Sequence, residues 1–204
     1  MSTRSPASIS LAEGQFAVED INLQVNEGEF IAIVGPPGCG KSTFMKLASG
    51  LLRPSKGTVV IGGQPVTGPL KITGMVFQAP SLLPWRSTVQ NVMLPLEIVE
   101  PCRSSFKQNK ARYEDKARTL LQSVGLDGYE DKFPWQLSGG MQQRASICRA
   151  LVPEPKLLLL DEPFGALDAF TREALWCALR DLELTYSPSF TAIVHELRGH
   201  IGAV

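Results

Sequence analysis

The sequence predicts an α/β protein with a parallel sheet and a helical insertion. Residues 30–34 form a continuous apolar run, and so do the four leucines within 156–160. Such runs are typical of strands that are buried on both faces of a parallel sheet. A glycine-rich break and a helical pattern over 41–52 follow the first run, and amphipathic helices fill 81–151 before the second. We therefore expect one cooperative domain over residues 1–204.

The order of the elements divides this domain into two lobes. The α/β core is expected to take about residues 1–80 and 152–204, and the helical subdomain about residues 81–151. Apolar periodicity and turn residues locate the other elements. These are strands over 16–25, 58–61, 74–77 and 190–194, and helices over 113–124, 138–151 and 171–184.

Composition and charge exclude several classes of protein. Lys plus Arg and Asp plus Glu each number 20, so the formal net charge is zero. The chain therefore lacks the basic surface of a non-specific nucleic-acid binder. The longest apolar run is six residues, 174–179, against the roughly 20 that a membrane-spanning helix needs. The first residues also lack the apolar stretch of a secretory signal, so the expected compartment is the cytoplasm.

No metal site of cysteines or histidines is expected. The four cysteines stand far apart without a C-x-x-C pair, which favours reduced thiols, most of them in the core. His195 and His200 do not form a helical metal pair, because five helical residues turn about 500° and leave the two side chains roughly 140° apart. The cysteines are Cys39, Cys102, Cys148 and Cys177.

The strongest motif lies between the first core strand and its helix. Residues 35–43 read Gly-Pro-Pro-Gly-Cys-Gly-Lys-Ser-Thr and fit G-x-x-x-x-G-K-[ST], a phosphate-binding loop. The loop amides and the positive end of the helix would face phosphates, with the Lys41 ammonium as a point charge and the Ser42 hydroxyl as a Mg²⁺ ligand. The predicted nucleotide-binding residues are Gly35, Pro36, Pro37, Gly38, Cys39, Gly40, Lys41, Ser42 and Thr43.

Two carboxylates end the second core strand. Asp161 and Glu162 follow four leucines, so a buried strand would deliver them to the same edge of the sheet as the glycine-rich loop. Consecutive strand residues point to opposite faces, so the two acids can have different roles. We expect Asp161 to bind Mg²⁺, directly or through water, and Glu162 to act as general base on the attacking water.

A second glycine-containing helix start lies at 137–144, Leu-Ser-Gly-Gly-Met-Gln-Gln-Arg. Ser138 is expected to be an N-cap that leaves backbone amides pointing outward. In isolation this segment would be interpreted as an ordinary capped helix. As a second phosphate-binding helix end, it contributes Ser138, Gly139, Gly140 and Gln142.

Together these motifs resemble the ATP-binding-cassette ATPases over about residues 16–194. Residues 138–144 look like the signature of that family and begin 23 residues before Asp161, as the family has it. The resemblance implies a P-loop NTPase core of the RecA-like type that binds ATP and Mg²⁺. It also implies that Gln78 is the Q-loop glutamine near the Mg²⁺ and the nucleophilic water. His195 would contact the γ-phosphate, and residues 166–168 would communicate across a dimer.

The resemblance also explains why one chain has two such helix starts. In the family, the signature of one subunit closes over the nucleotide that the glycine-rich loop of the other subunit holds, so each dimer encloses two ATP. The implied partners are a second copy of the chain or a second ATPase subunit, and an integral-membrane permease. No nucleic-acid partner is implied.

Residues 82–86, Leu-Leu-Pro-Trp-Arg, are similar to the ATPases of nitrate, sulfonate, taurine and bicarbonate importers. This similarity implies a peripheral protein at the cytoplasmic face of the inner or plasma membrane, with a solute-binding protein as an indirect partner. We expect an ATP-binding and ATP-hydrolysing importer subunit that energises uptake of a small solute such as an anion. The alternative is a truncated, hydrolytically weak or silent cassette protein that binds ATP and partners only.

The sequence departs from the family pattern in three places. Pro37 replaces the usual Ser and removes a hydroxyl and a backbone donor beside the phosphates, so weaker nucleotide binding is one expectation. No aromatic residue that would stack on adenine is evident at 11–13, with Phe16 as a nearby substitute. The chain ends soon after His195, so we expect a truncated C-terminal part and one uncovered side of the sheet.

Trp85 lies in the segment that leads from Gln78 into the helical lobe. As an exposed side chain it would serve as an aromatic anchor for a permease helix, since interface hot spots favour Trp. As a buried side chain it would pack inside the helical lobe, as large aromatic residues usually do. The sequence leaves both interpretations open.

Overall fold

A four-stranded parallel sheet with strand order β3-β8-β7-β6 forms the centre of the fold. The computed structural model describes residues 7–10, 16–26, 28–163 and 191–195. The strands are β1 (Ala7–Ser10), β2 (Phe16–Ile21), β3 (Phe30–Ile33), β4 (Val60–Ile61), β5 (Gln64–Pro65), β6 (Thr73–Val76), β7 (Leu157–Asp161) and β8 (Thr191–His195). The helices are α1 (Lys41–Ala48), α2 (Thr88–Ile98), α3 (Cys102–Ser123) and α4 (Gly139–Leu151), with a 3-10 turn at Pro134–Gln136.

Two antiparallel pairs, β1 with β2 and β4 with β5, accompany the parallel sheet. The sequence pattern does not predict β1 or β5, whose residues Gln64 and Pro65 lie among turn residues. Several predictions lie outside the described residues: the helix over 171–184, the dimer-contact residues 166–168 and the C-terminal residues 196–204. Within the described ranges, no helix is both long and apolar enough to cross a membrane.

Strand β7 is buried on both faces, as its run of leucines predicts. Leu158 and Leu160 belong to a large apolar cluster with α2, α3 and α4, whereas Leu157 and Leu159 pack with Met45 of α1. Each of the four leucines is at most 7% exposed. This alternation places helices against both sides of the strand that ends at the two carboxylates.

Helix α1 is shorter than the segment 41–52 that the sequence predicts. It ends at Ala48 because Gly50 adopts a left-handed conformation, with φ of 77°. The amide of Leu52 then donates to the carbonyl of Lys46 at 3.0 Å, which closes the helix end. The apolar periodicity of the sequence continues to residue 52, but the helix itself ends before Gly50.

The insertion between β6 and β7 contains one helix more than the sequence predicts. Helix α2 has apolar residues on most of its surface and a proline inside it, Pro95, so no helical stripe is apparent. Its start is nevertheless well specified, because the Ser87 hydroxyl accepts from the amide of Gln90 while the Gln90 side chain accepts from the amide of Ser87. Helix α3 begins at Cys102, whereas the sequence pattern predicts a start at residue 113. The first half of the helix is largely polar and therefore shows no apolar periodicity.

The described cysteines are free thiols in different surroundings. Cys148 is fully buried, and this desolvation raises the pKa of its thiol to about 12. Cys102 is half-buried, whereas Cys39 is exposed in the glycine-rich loop and does not fill the core. Cys177 lies outside the described residues.

Candidate functional site

The four parallel strands end at one edge of the sheet, and the predicted site residues follow these ends. Residues 35–43 follow β3 and Gln78 follows β6, while Asp161 and His195 are the last residues of β7 and β8. Asp161 is in register with His195, which is itself in register with Ile33 of β3. In open α/β sheets, ligands bind at this carboxyl edge.

The glycine-rich loop leaves the first amides of α1 without an intramolecular cap. Gly40 is the N-cap residue in a left-handed conformation, with φ of 95°, and among the described residues no side chain caps the helix. Gly38, with φ of 80°, also needs the freedom of glycine. The first amides of α1, which no described side chain caps, and the positive end of the helix are groups that attract an anion, whereas Pro37 has no amide to contribute.

Lys41 places a buried positive charge inside this loop. Its ammonium donates to the carbonyls of Gly35 at 2.8 Å and Pro36 at 2.7 Å, and the residue is only 6% exposed. The ammonium also lies 3.6 Å from Cys39 Sγ. Within the described part of the chain no carboxylate forms an ion pair with Lys41, so the charge is available to an anion.

Ser42 and Asp161 meet beside the loop, although 119 positions separate them in the chain. The Ser42 hydroxyl donates to Asp161 Oδ1 at 3.0 Å, and Asp161 is 7% exposed. The alternation of β7 accounts for this contact, because Asp161 falls on the side of the strand that packs against α1. The result is a hydroxyl oxygen and a carboxylate oxygen side by side, both of them ligand types that Mg²⁺ accepts.

Glu162 faces a different partner. Gln78 Nε2 donates to Glu162 Oε2 at 2.8 Å, across 84 positions of sequence. Glu162 has φ of 47°, a left-handed conformation that costs a non-glycine residue about 1–2 kcal/mol. This turn ends the strand and directs the second carboxylate to Gln78. The structure therefore pairs Gln78 with Glu162, whereas Asp161 pairs with Ser42.

The second predicted nucleotide-binding segment is the start of α4. Ser138 caps the helix by accepting from the amide of Met141 at 3.3 Å. The Gln142 side chain is bound to the turn that precedes the helix, since its Nε2 donates to the carbonyls of Pro134 at 2.9 Å and Leu137 at 3.3 Å. Among the described residues, no hydrogen bond joins this segment to the glycine-rich loop.

For the other predicted residues, the structure describes either the whole residue, the backbone alone or nothing. Trp85 is 70% exposed, so the interpretation that it packs inside the helical lobe is wrong. His195 is placed by its backbone at the end of β8, while its side chain lies outside the described part. The side chain of Phe16 likewise lies outside the described part, and residues 11–13 lie outside the described ranges altogether.

The sequence analysis missed two side chains that belong to this region. Gln143 and Arg149 of α4 donate to backbone carbonyls beside Gln78. Their acceptors are main-chain atoms, which every residue has, so no sequence pattern identifies such pairs.

This fold, with a phosphate-binding loop after the first core strand and two carboxylates after a neighbouring strand, defines a P-loop ATPase. The profile of the ABC transporter family matches residues 18–165. The chain therefore belongs to the ABC transporter family, as an ATP-binding cassette that binds and hydrolyses ATP. This confirms the resemblance, the α/β P-loop NTPase fold and the ATPase activity that the motifs predict.

Relatives agree with this assignment. The taurine import ATP-binding protein TauB of Yersinia pestis bv. Antiqua is 42% identical over 185 residues, which are 91% of this chain and 70% of that protein. The aliphatic sulfonates import ATP-binding protein SsuB of Bacillus licheniformis is 41% identical over 180 residues, 88% of this chain and 67% of that protein. The solved dimeric structure of the ATP-binding cassette MJ0796, in a post-hydrolysis state with ADP and Pi, superposes with a TM-score of 0.81 at 31% identity. The superposition covers 95% of this chain and 85% of that one.

Proposed function

We propose that this chain is the ATPase subunit of an importer for a small anion of the sulfonate or taurine kind. The observation that carries the proposal is the strand edge where a buried lysine, a hydroxyl–carboxylate pair and a glutamine–carboxylate pair lie together. The names of the relatives support the direction of transport and the class of solute. They also make a silent, partner-binding cassette the less favoured alternative.

The phosphate groups of ATP would bind at the start of α1. The ammonium of Lys41 would exchange its bonds to the Gly35 and Pro36 carbonyls for bonds to phosphate oxygens, which carry more negative charge. Residues 38–43 of the loop and the first turn of α1 would supply amides around the phosphates, with Gly38 and Gly40 among the main donors.

A Mg²⁺ ion fits beside this position. Ser42 and Asp161 present a hydroxyl and a carboxylate oxygen 3.0 Å from each other, a donor set that suits a hard cation. Gln78 is a further candidate ligand through its side-chain oxygen, because its nitrogen already donates to Glu162. When bound, the ion would supply charge neutralisation for the phosphate oxygens.

Glu162 would be the general base. Its carboxylate would accept a proton from the water that attacks the γ-phosphate. The hydrogen bond from Gln78 keeps the Glu162 side chain in one orientation beside the nucleotide edge. His195, at the end of the neighbouring strand, would contact the γ-phosphate.

A second subunit would complete each site. Ser138, Gly139 and Gly140 begin α4 with backbone amides that an anion on another molecule can approach, and no described residue of the glycine-rich loop bonds to them. The dimeric ATP-binding cassette that this chain resembles supports pairing of two cassettes. In this arrangement Gln142 would act by holding the turn before the helix.

The membrane permease would bind near Trp85, on the helical subdomain at about residues 81–151. Trp85 is exposed, and its neighbour Arg86 is fixed by Glu97 through two bonds of 2.8 and 3.0 Å. Movement of this subdomain relative to the core would carry the nucleotide state to the permease. The chain would then lie at the cytoplasmic face of the membrane, and a solute-binding protein would deliver the anion from the other side.

Reconstitution tests this function directly. The chain and the permease that co-purifies with it are placed in vesicles, and ATP hydrolysis and uptake of labelled taurine or ethanesulfonate are measured together. We expect ATP-dependent uptake that Glu162→Gln removes. Hydrolysis without uptake of any tested anion would reject the importer assignment, and a lack of hydrolysis with and without the permease would favour the silent cassette.

A further inference from the structure

Helix α4 holds the backbone on both sides of Gln78. Gln143 Nε2 donates to the carbonyl of Phe77 at 3.3 Å. Arg149, less than two helical turns further on, donates from its two terminal nitrogens to the carbonyls of Pro80 at 2.8 Å and Ser81 at 2.9 Å. The helix that begins at the signature therefore contacts the segment 77–81 at its beginning and at its end.

Gln143 makes this contact in an unfavourable place for a polar side chain. The residue is 1% exposed, and its Oε1 has no hydrogen-bond partner among the described residues. A buried unpaired oxygen is costly, so an apolar side chain of the same length would suit a purely packing role better. Among the described residues, the one hydrogen bond of the Gln143 side chain goes to the carbonyl of Phe77, the residue before Gln78.

Arg149 is also a polar side chain of α4 in a partly buried position. Burial lowers the pKa of its guanidinium, and among the described residues no carboxylate pairs with it. Its charge is instead directed at two neutral carbonyls of one turn. A partly buried cation without an acidic partner lowers stability unless its hydrogen bonds are well made.

The turn that Arg149 holds is strained. Ser81 has φ of 48°, in the left-handed region that a non-glycine residue rarely adopts. Such a conformation persists only where the surroundings impose it. The guanidinium bonds to the carbonyls of Ser81 and of the residue before it, and the Ser81 hydroxyl bonds to the carbonyl of Ala79 at 3.1 Å.

We propose that Gln143 and Arg149 are positioning residues that fix the segment 77–81 and through it the hydrogen bond from Gln78 to Glu162. This inference rests on the roles proposed above for Gln78 and Glu162. A shift of α4, whose first turn forms the signature, then moves the Gln78 backbone and alters the orientation of the base. The signature end and the hydrolytic carboxylate are connected through two side chains and one loop.

The first test is spectroscopic and does not depend on hydrolysis. The side-chain amide signal of Gln78 in the ¹⁵N NMR spectrum, assigned by its loss in Gln78→Ala, reports the bond to Glu162. We expect Arg149→Met and Gln143→Leu to shift this signal towards the value of a free glutamine. Arg118→Met is the matched control, because Arg118 forms its ion pairs with Glu114 and Asp131, and it leaves the signal in place.

The second test is kinetic. Arg149→Met and Gln143→Leu are expected to lower kcat about tenfold while the KM for ATP stays within about twofold, because the base is misplaced but the phosphate loop is intact. In a Gln78→Ala background the same substitutions should cause no further loss, since they act through Gln78. The melting temperature of Gln143→Leu should equal or exceed that of the wild type, because a buried unpaired oxygen is removed.

The outcomes separate this proposal from the one it rests on. An unmoved Gln78 signal in a folded variant, or an equal fall in kcat in both backgrounds, overturns the positioning role. If Gln78→Ala itself leaves kcat unchanged, the proposed role of Gln78 in hydrolysis fails, and the NMR signal still decides whether α4 holds the segment. If Arg149→Met does not fold, Gln143→Leu alone decides both measurements.

Discussion

The two glycine-containing helix starts of this protein, at α1 and α4, are built differently. Helix α1 begins at Lys41, and its N-cap residue Gly40 provides no side-chain cap, while the Lys41 ammonium is buried beside the helix start. Helix α4 begins at Gly139, the hydroxyl of Ser138 caps it, and the side-chain amide of Gln142 donates to carbonyls of the preceding turn. The first start has its own cation and carboxylates in one chain. Among the described residues, the second start has amides and a hydroxyl, which agrees with its proposed role as one half of a shared site.

The chemistry of a helix start depends on its surroundings more than on its glycines. Both segments contain two or more glycines near a helix N-terminus. Only the α1 start lies at the carboxyl edge of the parallel sheet, where strands β6 and β7 deliver Gln78, Asp161 and Glu162. The same local chemistry therefore lies beside a buried ammonium and two carboxylates in one place and forms a capped helix in the other.

The largest expected effect comes from Glu162→Gln, which tests whether the α1 edge contains the chemistry. The amide cannot accept the proton of water, so kcat should fall about thousandfold while ATP still binds. ATP-bound dimers should then accumulate, and light scattering with and without ATP measures them. Glu154→Gln is the control, because Glu154 is also a glutamate with positive φ, 56°, but lies away from the edge in an ion pair with Lys116. Equal loss of binding and hydrolysis would make Glu162 structural.

Lys41→Ala tests the phosphate loop. The substitution removes a charge and its hydrogen bonds, so ATP affinity should fall about a hundredfold, or about 2.7 kcal/mol. Calorimetric titration with ATP measures this loss. Lys46→Ala, an exposed lysine at the other end of the same helix, is the control. Unchanged affinity in Lys41→Ala would contradict the assignment of the α1 start as the phosphate site.

Ser138→Ala tests whether the α4 start is half of a shared site or only a capped helix. Loss of the cap should lower stability by about 1 kcal/mol. On the shared-site interpretation, ATP-driven dimerisation in a Glu162→Gln background should also weaken about tenfold, because the hydroxyl that faces the partner is lost. Ser87→Ala removes the cap of α2 and is the matched control. An equal loss of dimers in both variants would assign the effect to stability alone.

Trp85→Glu is expected to have the smallest effect on the isolated chain. The side chain is 70% exposed, so the free energy of unfolding should change by about 0.5 kcal/mol or less, and ATP binding should be unaffected. Co-purification with the permease should be lost, since an aromatic contact would become a charge. Thermal unfolding and affinity capture measure the two quantities. Unfolding of the variant would show that Trp85 supports the fold, and retained capture would reject it as the anchor.

The amino-acid sequence was sufficient to predict the four strands of the parallel sheet, the glycine-rich loop and the two carboxylates, because each depends on neighbouring residues. A run such as 157–160 specifies a strand buried on both faces, and the loop at 35–43 has its required glycines, lysine and serine in order. The ends of helices, and one whole helix, were harder to predict from the sequence. The end of α1 depended on one left-handed glycine, Gly50, and α2 was missed because its surface is apolar on most sides.

Which of these groups come into contact depends on how the strands and helices pack. Ser42 pairs with Asp161 and Gln78 with Glu162 because β7 alternates between two packed faces and then turns at a left-handed residue. Contacts such as those of Arg149 with main-chain carbonyls cannot be predicted from a sequence pattern, because every residue has a carbonyl acceptor. Side-chain type and spacing follow from the chain itself, whereas distance and pairing follow from packing.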